Sequence, residues 1–257
     1  MAENTGILTP EKFHETLHKD IDKPVLDYRK KWSPSRKRHI RVHTSAHRAS
    51  WAEAMIFIKA KVINVQVYLN FKQNSISESE YKMLINLARS GISQYWSRHI
   101  NIDGNTFIVR VQAYNRSVNA IPVDLQVETD PNEYARSMNP ALLGIDASFI
   151  YNKGRLGDIG KADADFMLVA AHEFGHSVLM YAGGIPLSWG HKGSTNPITQ
   201  SVKSAAPGYP KNGPIDLMKY YDPNKASIFF SRRIRDSIAM EIDIKRLIWG
   251  ANIKWIK

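Results

Sequence analysis

Cysteine is missing from this chain of 257 residues. Its absence excludes a disulfide scaffold, a thiolate metal site and a cysteine nucleophile. Long apolar runs are missing as well, because the longest, at 166–171, is far shorter than the roughly 20 residues that a membrane-spanning helix needs. Residues 1–15 do not have the basic start followed by an apolar stretch that is typical of a secretory signal. We therefore expect neither a membrane span nor a cleaved secretory signal.

The composition is that of a globular protein with an excess of basic residues. Apolar residues make up 43% of the chain and charged residues 23%, which excludes a disordered or collagen-like chain. The net charge of +11 favours an acidic partner, such as nucleic acid or an anionic membrane surface. Arg29–Arg48 alone holds eight basic residues and no acidic one, yet no signature of a nucleic-acid-binding fold accompanies it. Nucleic-acid binding is therefore an alternative function, and we do not expect it to be the main one.

Hydrophobic periodicity and turn residues predict the order of the secondary structure. The expected elements are a strand at 62–69, a helix at 75–98, a hairpin around Asp103-Gly104, strands at 123–127 and 147–151, and helices at 161–181 and 231–249. This order predicts an α+β fold. Residues 1–60, with a short helix near Thr9 and the basic segment, are predicted to form an N-terminal extension, and residues 61–257 the functional domain.

The helix expected at 161–181 contains the sequence HEFGH at residues 172–176. Two histidines four residues apart share one face of a helix, so both imidazoles can reach one Zn²⁺ ion. A glutamate beside the first histidine can take a proton from a water molecule at the metal. An apolar helix has no reason to bury such groups unless partners satisfy them. We therefore predict His172 and His176 as zinc ligands and Glu173 as the general base.

The same spacing occurs a second time, at His14 and His18. This pair falls in a short polar helix in which Phe13 and Leu17 form the packing stripe. Nothing after it offers a third ligand or a supporting turn, so we predict a surface helix there and no metal site.

A catalytic zinc site needs a third protein ligand. His191 is the only histidine after His176, and it follows a glycine pair at 183–184 that can turn the chain at the end of the helix. Farther along the chain, Met218 lies in a predicted turn, with Tyr220 two residues later. On its own, this turn is typical of a small hydrophobic anchor for a loop.

Together, the HEFGH helix, the glycine turn, the later histidine and the Met-x-Tyr turn resemble the metzincin clan of zinc peptidases. The resemblance implies a metzincin-like domain with a mixed sheet, a long backing helix, an active-site helix, a methionine turn and a C-terminal helix. It also implies that Met218 lies below the zinc without binding it. Tyr220 would hydrogen-bond the oxyanion of the tetrahedral intermediate, or cover the metal in the resting enzyme.

The chain departs from the metzincin pattern after the second histidine. The clan has a glycine three residues and a histidine six residues after it, where this chain has Leu179 and Ala182. The third ligand is therefore open among His191, Glu241 and Asp222. We favour His191, because the methionine turn belongs to the clan whose zinc is held by histidines.

Residues 145–225 are also similar to metallopeptidase toxin domains of bacterial type VI secretion and Rhs-type effectors, through HEFGHSVLMYAGG, SWGHKG and GPIDLMKYYD. This resemblance implies export without a cleaved signal peptide and action in the periplasm or cytoplasm of a target cell. The implied partners are the secretion machinery and a cognate immunity protein. A chain without cysteine fits this setting, since it tolerates both reducing and oxidising compartments.

The sequence thus predicts a zinc endopeptidase that hydrolyses peptide bonds with Glu173 as general base. An extended protein or peptide substrate is expected to add to the strand at 147–151. The alternatives are a basic nucleic-acid-binding protein and a catalytically inactive protein that has kept the peptidase fold.

Overall fold

The structure is a computed structural model that describes residues 8–32, 48–140, 145–182, 188–196 and 198–256. It confirms the α+β class. In chain order the elements are α1 (Pro10–Trp32), β1 (Ala52–Phe57), β2 (Val62–Gln73), α2 (Glu78–Trp96), β3 (Arg98–Ile102), β4 (Asn105–Asn115), β5 (Ile121–Glu128), β6 (Ala147–Asn152), α3 (Lys153–Leu156), α4 (Ile159–Ala182), a 3₁₀ segment (Ser188–Gly193), β7 (Ile215–Asp216), α5 (Phe230–Asp236), β8 (Ser237–Ile238), α6 (Glu241–Gly250) and β9 (Asn252–Ile256).

A mixed sheet of seven strands is the centre of the fold. β1 pairs with β2 in the antiparallel sense and with β9 in the parallel sense. β4 runs parallel to β2, and β3 pairs antiparallel with β4. β5 pairs parallel with the second half of β2, and β6 lies parallel to β5. From β6 the chain passes through the short helix α3 into the HEFGH helix, α4.

Local sequence signals account for the elements that were predicted correctly. Ser77 caps α2, and the carboxylate of Glu80 accepts a hydrogen bond from the Ser77 backbone, so both halves of a capping box are present. Asp103 and Gly104 connect β3 to β4 with positive φ angles of 51° and 73°, as a tight hairpin turn requires. The Trp96 indole at the end of α2 donates a hydrogen bond of 3.0 Å to the carbonyl of Ala171 in α4. This bond joins the two long helices.

The prediction of a single helix at 231–249 is wrong, because the chain leaves the helical conformation between α5 and α6. In this interval β8 pairs with β7 in the parallel sense, and Leu217 donates a hydrogen bond of 3.1 Å to the carbonyl of Ile238. Ala239 donates to the carbonyl of Tyr95 at 2.8 Å. These long-range bonds replace helical ones and attach the methionine turn to the C-terminal region.

Residues before position 60 also contribute to the hydrophobic core. α1 extends well beyond the short helix that was expected. Its residues Phe13, Leu17 and Ile21 are buried in the same core as the sheet, and β1 is a strand of that sheet. Residues 33–47 of the basic segment and the predicted glycine turn at 183–184 lie outside the described residues. The domain division after residue 60 stays a prediction.

In the part of the chain that the structure describes, no helix combines the length and the apolar character that crossing a bilayer requires.

If α1 is part of the core, then Leu17→Ala should lower the free energy of unfolding by about 2–5 kcal/mol, because it leaves a cavity at a fully buried position. Urea unfolding followed by circular dichroism measures the change. Glu15→Ala, on the exposed side of the same helix, is the control and should change stability by no more than about 0.5 kcal/mol. An equal, small effect of both variants would mean that α1 does not pack as described.

Candidate metal centre

α4 presents the two histidines of the HEFGH sequence on one face. The rings of His172 and His176 lie with their centroids 4.9 Å apart, and His176 is buried. Between them, Phe174 is fully buried and packs edge-on against Trp96 and Trp51, so the other side of the helix faces the core. The periodicity of the helix therefore places both imidazoles on one face of α4, and Phe174 on the face that packs against the core.

The 3₁₀ segment brings His191 to this pair. One ligand atom from each of His172, His176 and His191 lies within 4.8 Å of the others, which is close enough for the three side chains to hold one metal ion. Of the three candidates for the third ligand, the structure thus brings His191 to the histidine pair.

Glu241 and Asp222 have other surroundings. Glu241 pairs with Lys245 at 2.7 Å and accepts a hydrogen bond from the backbone of Asn101 at 3.2 Å. Asp222 accepts one from the backbone of Asn224 at 3.0 Å. Among the described residues, neither carboxylate belongs to a group of three ligand side chains that could share an ion.

Hydrogen bonds orient two of the imidazoles. His172 Nδ1 lies 2.6 Å from the carbonyl oxygen of Leu217, which can only accept, so this nitrogen carries the proton. His191 Nδ1 lies 2.9 Å from Thr195 Oγ1, which leaves Nε2 as the atom turned toward the histidine pair. The two Nε2 atoms face one another at 3.3 Å. Burial lowers the pKa of His172 to about 4, so its Nε2 has a lone pair at neutral pH.

The methionine turn lies directly against the HEFGH helix. Met218 is fully buried, and a Cβ atom at position 175 would overlap its Sδ atom. Gly175 thus permits the turn to approach the helix closely enough for the Leu217 carbonyl to reach His172. This explains the glycine inside the motif, which the sequence interpretation had left without a role.

Glu173 lies beside the histidines with its carboxylate buried. Its Oε2 atom is 3.8 Å from His176 Nε2, and no donor among the described residues forms a hydrogen bond with it. Burial raises the pKa of Glu173 to about 8, although the charge of Arg136 acts in the opposite direction. Such a carboxylate is suited to exchange a proton near neutral pH.

Tyr220 covers the group of histidines. Its ring stacks on that of His191 with centroids 3.8 Å apart, and on that of His172 at 5.6 Å. Burial raises the pKa of Tyr220, so the hydroxyl stays protonated at neutral pH and can donate a hydrogen bond. The side chain of Arg136 lies beside this hydroxyl.

The outer edge of β6, where a substrate strand was expected, is already paired in part. Met138 and Ser148 exchange backbone hydrogen bonds of 2.9 and 2.8 Å in an antiparallel bridge. Asn139 then ties this extended segment to α4, because its side chain donates to the carbonyl of Glu173 at 2.7 Å and to Ser177 at 2.9 Å. The expected addition of a substrate strand to β6 is therefore blocked at this point.

A cleft of about 650 Å³ opens beside the metal centre, and both His172 and Glu173 line it. Its apolar wall includes Leu156, Leu168 and Val169. Polar and charged side chains form the rest of the lining. A cleft of this size is typical of a binding site for part of a peptide or for a small molecule.

The loop that carries His191 has a strained backbone. His191 and Lys192 have positive φ angles of 43° and 54°, and each costs about 1–2 kcal/mol for a residue other than glycine. Lys192 Nζ offsets this strain by binding both oxygens of Asp216 at 2.8 Å and Asp243 Oδ2 at 2.5 Å. Asp216 also accepts a hydrogen bond of 2.9 Å from the backbone of Met218. The ion pairs therefore join the His191 loop, the methionine turn and α6.

Comparison of the chain with models of protein families, with curated proteins and with solved structures finds no match. The functional interpretation therefore depends on side-chain geometry. Several of the residues that form this geometry had no signal in the sequence, since only the tertiary contacts give them a role: Arg136, Asn139, Lys192, Thr195 and Arg233.

Lys192→Met is expected to weaken binding of Zn²⁺ about 10- to 100-fold, the usual effect of losing a residue that orients a ligand. It leaves the fully buried Asp243 with Arg246 but without Lys192, and the His191 loop without its anchor. Competition with a chromogenic chelator measures the affinity.

Lys211→Met, at an exposed position, is the matched control, and Lys192→Arg should keep most of the affinity because it keeps the charge. Equal zinc affinity in the wild type and Lys192→Met would show that the ion pairs do not position His191.

Proposed function

We propose that this chain is a zinc-dependent endopeptidase of the metzincin-like type. The observation that carries the proposal is the convergence of His172, His176 and His191 beside the buried carboxylate of Glu173. Three neutral nitrogen ligands with a glutamate next to them are the protein groups of a catalytic zinc site, in which a fourth position is left for water or substrate.

The separation of two of the nitrogens fits a zinc ion. Zinc–nitrogen bonds are about 2.0–2.1 Å long, so two nitrogens on one tetrahedral ion lie about 3.3–3.4 Å apart. The Nε2 atoms of His172 and His191 are separated by 3.3 Å. Their Nδ1 atoms are engaged with Leu217 and Thr195, which is the arrangement that fixes the tautomer of a metal-binding histidine.

In the proposed mechanism, His172, His176 and His191 would hold a zinc ion, which would supply Lewis acidity toward the scissile carbonyl and toward a water molecule. Glu173 accepts the proton of the attacking water and later gives it to the leaving amine. Burial raises the pKa of this carboxyl to about 8, and the positive charge of Arg136 acts in the opposite direction and favours the ionised form that a base needs.

Tyr220 is proposed to donate a hydrogen bond to the oxyanion that develops on the substrate. Its protonated hydroxyl and its position over His172 and His191 support this role. A donor that strengthens its bond only as charge develops lowers the barrier without tightening substrate binding.

We place this activity in a secreted bacterial effector toxin. The resemblance of residues 145–225 to toxin domains supports this setting, as does the lack of cysteine. The proposed substrate is a protein or peptide of the target cell, and the producing cell would hold a cognate immunity protein.

Each purified chain should contain one zinc ion, and His172→Ala, His176→Ala and His191→Ala should each lose it, because three ligands are needed for tight binding. Elemental analysis after gel filtration gives the stoichiometry. His14→Ala and His18→Ala are matched controls with the same sequence spacing, and they should keep the zinc. Retention of zinc by His191→Ala, together with its loss from Glu241→Ala or Asp222→Ala, would contradict the ligand set.

Glu173→Gln and Tyr220→Phe should keep the zinc and the fold but lose turnover. Loss of the general base is expected to lower kcat about 10²–10⁴-fold, and loss of the oxyanion donor about 10²–10³-fold, with little change in KM. Cleavage of a fluorogenic peptide mixture measures both. Tyr181→Phe, elsewhere on α4, is the control, and wild-type activity of Glu173→Gln would refute the mechanism.

A further inference from the structure

The acidic and the basic side chains that line the cleft differ in their interactions. Asp216 is held by Lys192 at 2.8 Å. Asp165 accepts a hydrogen bond of 2.8 Å from the hydroxyl of Tyr134. Glu173 is the proposed general base. The acidic groups of the cleft therefore already have partners or a chemical role.

The cations of the cleft have looser partners: the charge of Arg233 acts on Asp165, and the side chain of Arg136 lies beside the Tyr220 hydroxyl. Arg136, Lys219 and Arg233 line the cleft, and within the described residues none of them is in an ion pair. The lining that contains Arg136 and Arg233 also contains Tyr220 and part of the metal centre.

The arginines of the short helix α5 differ from one another in their ion pairs. Arg232 and Arg235 both bind Asp236, at 3.0 and 2.7 Å. Arg233 instead is half-buried and lines the cleft. A guanidinium group is planar, always charged and suited to bind a carboxylate through two parallel hydrogen bonds.

We propose that Arg233, together with Arg136 in the lining of the same cleft, binds a carboxylate of the substrate next to the scissile bond. This inference rests on the proposed peptidase function and adds a substrate class to it: peptides with an acidic side chain near the cleavage site, or with a terminal carboxylate there.

The test is digestion of a peptide library prepared from a whole proteome, with the cleavage sites identified by mass spectrometry. The zinc-loaded wild type should cleave about tenfold more often beside Asp or Glu than beside Asn or Gln, as expected for a charge-assisted pair. Arg233→Gln should remove this preference, whereas Arg235→Gln, on the same helix, should keep it. Internal sites would assign the carboxylate to a side chain, and sites confined to the last peptide bond would assign it to the C-terminus.

A second measurement does not depend on turnover. Two fluorescein-labelled peptides with the sequence of the best site, one with Glu and one with Gln at the selected position, are titrated against zinc-loaded Glu173→Gln. The Glu peptide should bind about tenfold more tightly, and Arg233→Gln in the same background should make the two affinities equal. Cleavage or binding without an acidic preference would overturn this inference alone. No cleavage of any peptide by the zinc-loaded chain would overturn the proposed function as well.

Discussion

Burial of imidazole and carboxylate groups on the apolar helix α4 is the constraint on which the rest of the site depends. Polar groups taken out of water cost free energy unless hydrogen bonds or a metal ion compensate. The neighbouring segments supply these partners: the methionine turn offers the Leu217 carbonyl to His172, and Thr195 binds His191. The contact between Gly175 and Met218 brings the turn close enough to do so.

Local sequence patterns were sufficient for the elements that form from short-range interactions. The capping box of α2, the Asp103-Gly104 turn and the apolar period of α4 each act within a few residues, so each could be predicted. The break between α5 and α6 could not, because it depends on the pairing of β8 with β7 and on a bond from Ala239 to Tyr95.

Within the site, too, some residues can be predicted from the local sequence, whereas others depend on tertiary contacts. The histidine pair and Glu173 are predictable, since one helical turn relates them. His191 could only be proposed by elimination and resemblance, because its position depends on a left-handed backbone and on Lys192 bound to Asp216 and Asp243. No local sequence feature distinguishes Arg233 from Arg232 and Arg235. The difference lies in the tertiary structure, where Arg232 and Arg235 form ion pairs with Asp236.

The two histidine pairs show why spacing alone does not define a metal centre. His14 and His18 have the same separation as the pair in α4, yet both lie against the indole of Trp249, at 4.5 and 5.0 Å between centroids. Among the residues that the structure describes, a third ligand reaches only the pair in α4, and it does so through a backbone conformation that is unfavourable by itself. An ion that binds only the folded state would stabilise that state. The metal proposed for catalysis would therefore also offset the strain of the loop that holds it.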